Sequence, residues 1–295
     1  MRVGIIAPQG WTGEYDGWDP ARAWARTVAV AHQAESLGFE SLWMFDHVQT
    51  EPVPTDEITF EAFVGISALA AETARVRLGH LVLCAGYRNP ALVAKMIATL
   101  DVVSGGRAEL GLGAGWKEDE FLAYGFGFPP LRTRMESLED ALEIATRMLS
   151  GGRATYEGPT AKVREAINVP RGLQEPRVPI MVGGNGPNRT WRLAARYADE
   201  LNLDWLTPEE VTASRPVIAS RCQEIGRDPG TLRLSVNIGR DESGREGAPR
   251  VDLLRRYADA GVDRVMTLVR ACAEDDGALE RFAEDCAAAG CALDP

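Results

Sequence analysis

An acid and an imidazole, Asp46-His47, directly follow the apolar run Ser41-Leu42-Trp43-Met44-Phe45. That run reads as a short strand buried on both faces. In α/β proteins the C-terminal ends of parallel strands are where chemistry collects. An imidazole there can pass a proton near neutral pH, and the carboxylate beside it can hold it or bind a ligand. The plainer alternative is that Asp46 caps the next segment and His47 is a loop residue. Of three histidines, His47 is the one placed at a strand end. His32 falls on a helical pattern as a solvated or packed ring, and His80 inside a strand as a core or barrel-lining ring.

A second chemical signal is Val182-Gly183-Gly184-Asn185-Gly186-Pro187-Asn188-Arg189-Thr190, between a strand and a helix. Glycines allow close backbone approach, and N–H groups at a helix start attract phosphate. Thr190 would add a hydroxyl and Arg189 a positive charge. A tight strand-to-helix turn needing glycine for shape alone is the competing reading. The spacing Gly111-x-Gly113-x-Gly115 is not the dinucleotide fingerprint, and it suits a ring packed against bare backbone.

The elements that must position these groups alternate along the chain. Strands are expected at 2–7, 41–45, 76–84, 108–112, 179–182, 198–203, 231–238 and 263–269. Helix starts are signposted by Asp19-Pro20, by Asn89-Pro90 and by Thr207-Pro208-Glu209-Glu210, a capping box. Eight strands alternating with helices predict an α/β protein of the (β/α)8 TIM-barrel type, one domain over residues 1–295. Residues 117–131 are too long for a plain connection and suit a lid; residues 153–177, rich in proline, read as an insertion, a hairpin.

A net charge of −11 argues against a nucleic-acid partner, although an anionic cofactor can still find a local site. No apolar run is long enough for a membrane span, and no signal peptide is visible. Five cysteines without paired spacing, and three scattered histidines, suit a reduced cytoplasmic protein without a metal site.

Several stretches together resemble the luciferase-like monooxygenase superfamily, most closely its deazaflavin (coenzyme F420)-dependent oxidoreductases. They include Ser36-Leu37-Gly38-Phe39-Glu40-Ser41-Leu42-Trp43, Asp46-His47, Tyr87-Arg88-Asn89-Pro90, Leu100-Asp101-Val102-Val103-Ser104-Gly105-Gly106-Arg107, Gly111-Leu112-Gly113-Ala114-Gly115-Trp116, Gly183-Gly184-Asn185-Gly186 and Tyr197-Ala198-Asp199-Glu200. The resemblance implies a barrel with the cofactor ring at its mouth, Asp46 against the ring, and His47 beside the carbon that exchanges hydride. It implies cofactor phosphate near Gly183, Gly184, Asn185, Gly186 and Thr190, and a non-prolyl cis peptide near Leu83, Cys84 and Ala85. It also implies a homodimer, a small-molecule substrate and a separate cofactor-reducing enzyme. The family's sugar-phosphate dehydrogenases carry a catalytic glutamate where this chain has Trp116, so sugar-phosphate oxidation is not expected.

Trp11, Trp116 and Glu118 are the expected substrate-pocket residues, with Trp116 either a pocket wall or an anchor for the lid. Tyr15, Trp18 and Phe121 are aromatic candidates for the same wall. The leading expectation is hydride transfer between coenzyme F420 and a small organic substrate, with the substrate reduced. The alternatives are an FMN-dependent monooxygenase and a cofactor-binding member without chemistry.

Overall fold

Helix starts appear where the capping residues place them. Asp19 accepts from the Arg22 N–H at 3.0 Å and opens α1 (Pro20–Ser36). Asn89 accepts from Ala91 and Leu92 N–H and opens α3 (Pro90–Val103). Thr207 and Glu210 exchange both bonds of a capping box at the start of α7 (Pro208–Gln223). The structure, a computed structural model, describes residues 1–239 and 245–294.

The strands are β1 (Arg2–Ile6), β2 (Ser41–Met44), β3 (Arg77–His80), β4 (Leu83–Cys84), β5 (Ala108–Gly113), β6 (Arg153–Glu157), β7 (Lys162–Ile167), β8 (Ile180–Gly183), β9 (Glu200–Asp204), β10 (Arg233–Asn237) and β11 (Arg264–Thr267). Between them run α2 (Ala62–Glu72), α4 (Glu118–Ala123), α5 (Leu131–Leu149), α6 (Thr190–Tyr197), α8 (Ala248–Asp259) and α9 (Ala278–Ala288). The parallel order β3-β2-β1-β11-β10-β9-β8-β5 closes on itself through β3–β5 pairing, with β4 continuing the β3 position. This is a (β/α)8 barrel. β6 and β7 form a separate antiparallel hairpin inside residues 153–177.

The third barrel strand is not the single run expected over 76–84. Gly79 pairs with Glu109 and Leu83 with Leu112, so four steps along one strand match three along its neighbour. The extra residue is a bulge, the device that re-aims side chains next to sites. It contains a cis peptide at Leu81–Val82, upstream of the expected position near Leu83–Ala85. Leu83 therefore joins the core between barrel and helices, while Val82 packs with the smaller cluster inside the barrel.

The barrel interior also holds buried charge. Arg264 donates to Glu109 at 2.9 and 3.1 Å and to Glu40 at 3.0 Å, and its guanidinium lies 5.3 Å from the Trp43 ring centre. Arg77 also bonds Glu109. Burial opposes ionisation of Glu109, but the two arginines hold its carboxyl well below the usual range. Burial pushes the neighbouring Glu200 upward, against the pull of Arg264. Removing one member of a buried ion pair leaves the other unpaired, at a cost of about 3–5 kcal/mol. Arg264 keeps Glu40 when Glu109 is neutralised, so Glu109→Gln is expected to lower the urea midpoint by less than that full amount, and an unchanged midpoint would contradict this role.

Candidate functional site

His47 follows β2 by three residues and stands over the barrel mouth. Its ring stacks on Trp11 with centres 4.1 Å apart and planes 3° apart, and Trp116 meets it edge-on at 5.7 Å. Its Nδ1 lies 2.8 Å from Glu120 Oε2. Glu120 is fully buried and also accepts from the Val48 N–H at 3.0 Å, the Gln49 N–H at 3.2 Å and the Tyr87 hydroxyl at 3.0 Å. Burial opposes its charge, yet His47 and these other donors hold its carboxyl below the ordinary range. An ionised carboxylate only accepts, so Nδ1 carries the proton that His47 donates to it. Nε2 is then the nitrogen left for a ligand.

Sequence reasoning named Glu118 for the pocket, but Glu118 is exposed and its neighbour two residues on turns inward. The lid is partly helical, as α4, and Phe121 anchors it rather than lining the pocket: it is buried against Tyr87, Phe126 and Phe128. Burial, and then the Glu120 charge, push the Tyr87 hydroxyl upward. Tyr15 is likewise buried beneath the loop, bonded to Thr27 and packed on Trp18 and Phe60.

Asp46 is engaged in a buried ion pair at the end of β2. Its carboxylate accepts from Arg88 at 2.7 and 2.8 Å and from the Cys84 N–H at 2.8 Å, and it is 5% exposed. Such a doubly paired, buried carboxylate holds the strand end in place. Arg88 also bonds Glu61. His80 is fully buried, stacks on Phe63 at 4.6 Å and is held neutral at a pKa of about 3, by burial first and then by the Arg88 charge. His32 is an exposed helix residue bonded to the Glu72 carbonyl.

Val82 protrudes where a ring was expected to meet bare backbone. A Cβ at Gly113 would fall 2.7 Å from Val82 Cγ2, and one at Gly111 would fall 2.1 Å from the His80 carbonyl oxygen. Those glycines make room for the bulge itself. Among the expected cofactor residues, Leu83 and Cys84 are buried and Ala85 is half-buried.

Across the mouth, β8 ends at Gly183 and leads into α6, whose start has no side-chain cap. Gly184 adopts φ +128°, and a Cβ at Gly186 would lie 2.7 Å from Thr190 Oγ1. Asn185 does not reach inward; it braces the turn by exchanging hydrogen bonds with the Asp204 backbone at 2.7 and 2.9 Å. The recess combines a bare backbone, an uncapped helix start and the Thr190 hydroxyl, a donor set that fits phosphate.

A cavity of about 250 Å³ opens at the mouth between Trp11, Phe45, Trp205, Ile238, Leu268 and Arg270. Trp205 is held at φ +58°, a conformation that costs a bulky residue about 1–3 kcal/mol and is tied to function more often than chance. Neither Trp205 nor Arg270 was named from sequence. Trp205 directly follows β9 and Arg270 comes three residues after β11, which was the available signal.

A family model described as luciferase-like monooxygenase matches residues 1–239. The chain belongs to the luciferase-like monooxygenase family. An uncharacterised protein of Mycobacterium tuberculosis is 31% identical over 274 residues, covering 87% of this chain and 92% of that protein. An F420-dependent glucose-6-phosphate dehydrogenase of Kineococcus radiotolerans is 38% identical over 218 residues, covering 72% of this chain and 63% of that protein. Among solved structures, an F420-dependent secondary alcohol dehydrogenase in complex with an F420–acetone adduct has the same fold. Its TM-score is 0.82 at 19% identity, with 98% of both chains covered.

Burial pushes the Cys84 thiol up to about 12, so at pH 8 it stays protonated in the folded protein. Iodoacetamide at pH 8 is expected to leave Cys84 unmodified in the native protein and to label it after unfolding, as read by peptide mass spectrometry. Rapid native labelling would contradict the geometry of the bulge.

Proposed function

We propose that this chain is a deazaflavin-dependent oxidoreductase that takes coenzyme F420 and reduces a small organic substrate at a C=C, C=N or carbonyl group. The observation that carries the reading is the buried Glu120 carboxylate on His47 Nδ1, at the barrel mouth facing a phosphate-fitting recess. The F420-dependent glucose-6-phosphate dehydrogenase among its relatives supports the choice of cofactor. A separate F420-reducing enzyme would supply the reduced form.

Gly184, Gly186 and Thr190 would hold the cofactor phosphate, and the projecting Val82 would support the ring. When bound, the deazaflavin supplies the hydride. His47 gives the Nε2 proton to the substrate atom next to the one that takes the hydride, so the substrate gains two hydrogens in all. Glu120 is a positioning residue: it fixes the ring orientation and steadies the imidazolium before transfer. Trp11 supports the flat face of the imidazole.

Reduced F420 offered with a panel of activated alkenes, imines and ketones is expected to be reoxidised by at least one acceptor. His47→Ala is expected to lower kcat on it by about 100-fold or more while F420 affinity stays within a few-fold. Glu120→Gln should lower kcat in the same direction by a smaller factor. Unchanged turnover in His47→Ala would remove its assigned role, and no turnover of any acceptor would favour a cofactor-binding member without chemistry.

A further inference from the structure

The mouth cavity is chemically lopsided. Trp11, Phe45, Trp205, Ile238 and Leu268 make its walls apolar, while Arg270 stands at its edge. The guanidinium of Arg270 donates to the Gly13 carbonyl at 3.2 Å and pairs with no carboxylate among the described residues. Five N–H donors are available on a guanidinium, so most of its capacity is unspent. Glu51 also lines the cavity, but Lys117 already pairs with it. Arg88, at the end of the third barrel strand, is committed to Asp46 and Glu61.

Position separates Arg270 from the phosphate recess. The recess follows β8 and Arg270 follows β11, with β9 and β10 standing between. Three strand spacings along the sheet amount to roughly 14 Å. One phosphate cannot serve both, so the arginine calls for a second anionic group.

We propose that the substrate is an organic carboxylate on a largely apolar body, with the carboxylate held by Arg270 and the body between the indoles of Trp11 and Trp205. The two oxygens of a carboxylate match the planar fork of a single guanidinium. A dianionic phosphate would sit beside Glu51 with only one free cation, which is a poorer match. Trp11 lines the cavity and also stacks on His47, so the cavity adjoins the imidazole through that indole. This inference rests on the oxidoreductase reading for the word substrate, but the carboxylate site is tested separately from it.

The test uses cinnamate and cinnamamide, which share a flat body and differ in charge, titrated calorimetrically into the protein with and without saturating F420. Cinnamate is expected to bind at least tenfold more tightly than cinnamamide in both conditions. Arg270→Gln should erase the difference, and Arg270→Lys should keep part of it. Equal affinities, no cinnamate binding, or a preference that survives Arg270→Gln would overturn the proposal. So would displacement of cinnamate by F420, which would assign the arginine to the cofactor. A protein that shows the cinnamate preference but does not bind F420 would support the carboxylate site and sink the oxidoreductase reading alone.

Discussion

One buried carboxylate ties the barrel mouth together. Glu120 accepts from His47, from the two backbone N–H groups that follow it and from the Tyr87 hydroxyl. Its donors come from the loop after β2 and from the segment after β4, while Glu120 itself belongs to the lid. Taking an ionised carboxylate out of water costs several kcal/mol unless its lone pairs are filled, and here they are. The same bonds that make its burial tolerable orient the imidazole. The α4 segment and the His47 ring are thus held by the same carboxylate.

Asp46 and His47 show how adjacent residues at a strand end divide the work. Successive side chains of an extended segment point to opposite sides, so one turns back and the other reaches out. Asp46 is spent on Arg88 and the Cys84 N–H, which pins the end of β2 to the end of the third barrel strand. His47 is then presented from a strand end that cannot drift. The Val82 bulge packs over Gly111, Gly113 and Gly183, between these residues and the start of α6.

The barrel was legible in the sequence because caps, glycine stops and apolar runs each act locally. Asp19, Asn89 and Thr207 mark helix starts by short-range bonds, and the structure has those bonds. The interrupted third strand was not legible: one inserted residue reverses which side chains face inward, so Val82 and Leu83 exchange places relative to an unbroken strand. Glu118, Asp119 and Glu120 are alike in type and adjacent, and only a partner 73 residues away distinguishes the last of them. The resemblance to sugar-phosphate dehydrogenases pointed to the position of Trp116 as having lost its glutamate. A carboxylate nevertheless reaches the imidazole from four residues further along, on a helix that residue spacing alone did not reveal.

The central claim, a deazaflavin site opposite an armed imidazole, is met most directly by titrating purified protein with coenzyme F420 and with FMN side by side. Micromolar binding of F420 and none of FMN is the expected result. Preference for FMN, with oxygen uptake once the flavin is reduced, would contradict it and make the protein a flavin monooxygenase; binding of neither would contradict both cofactor assignments.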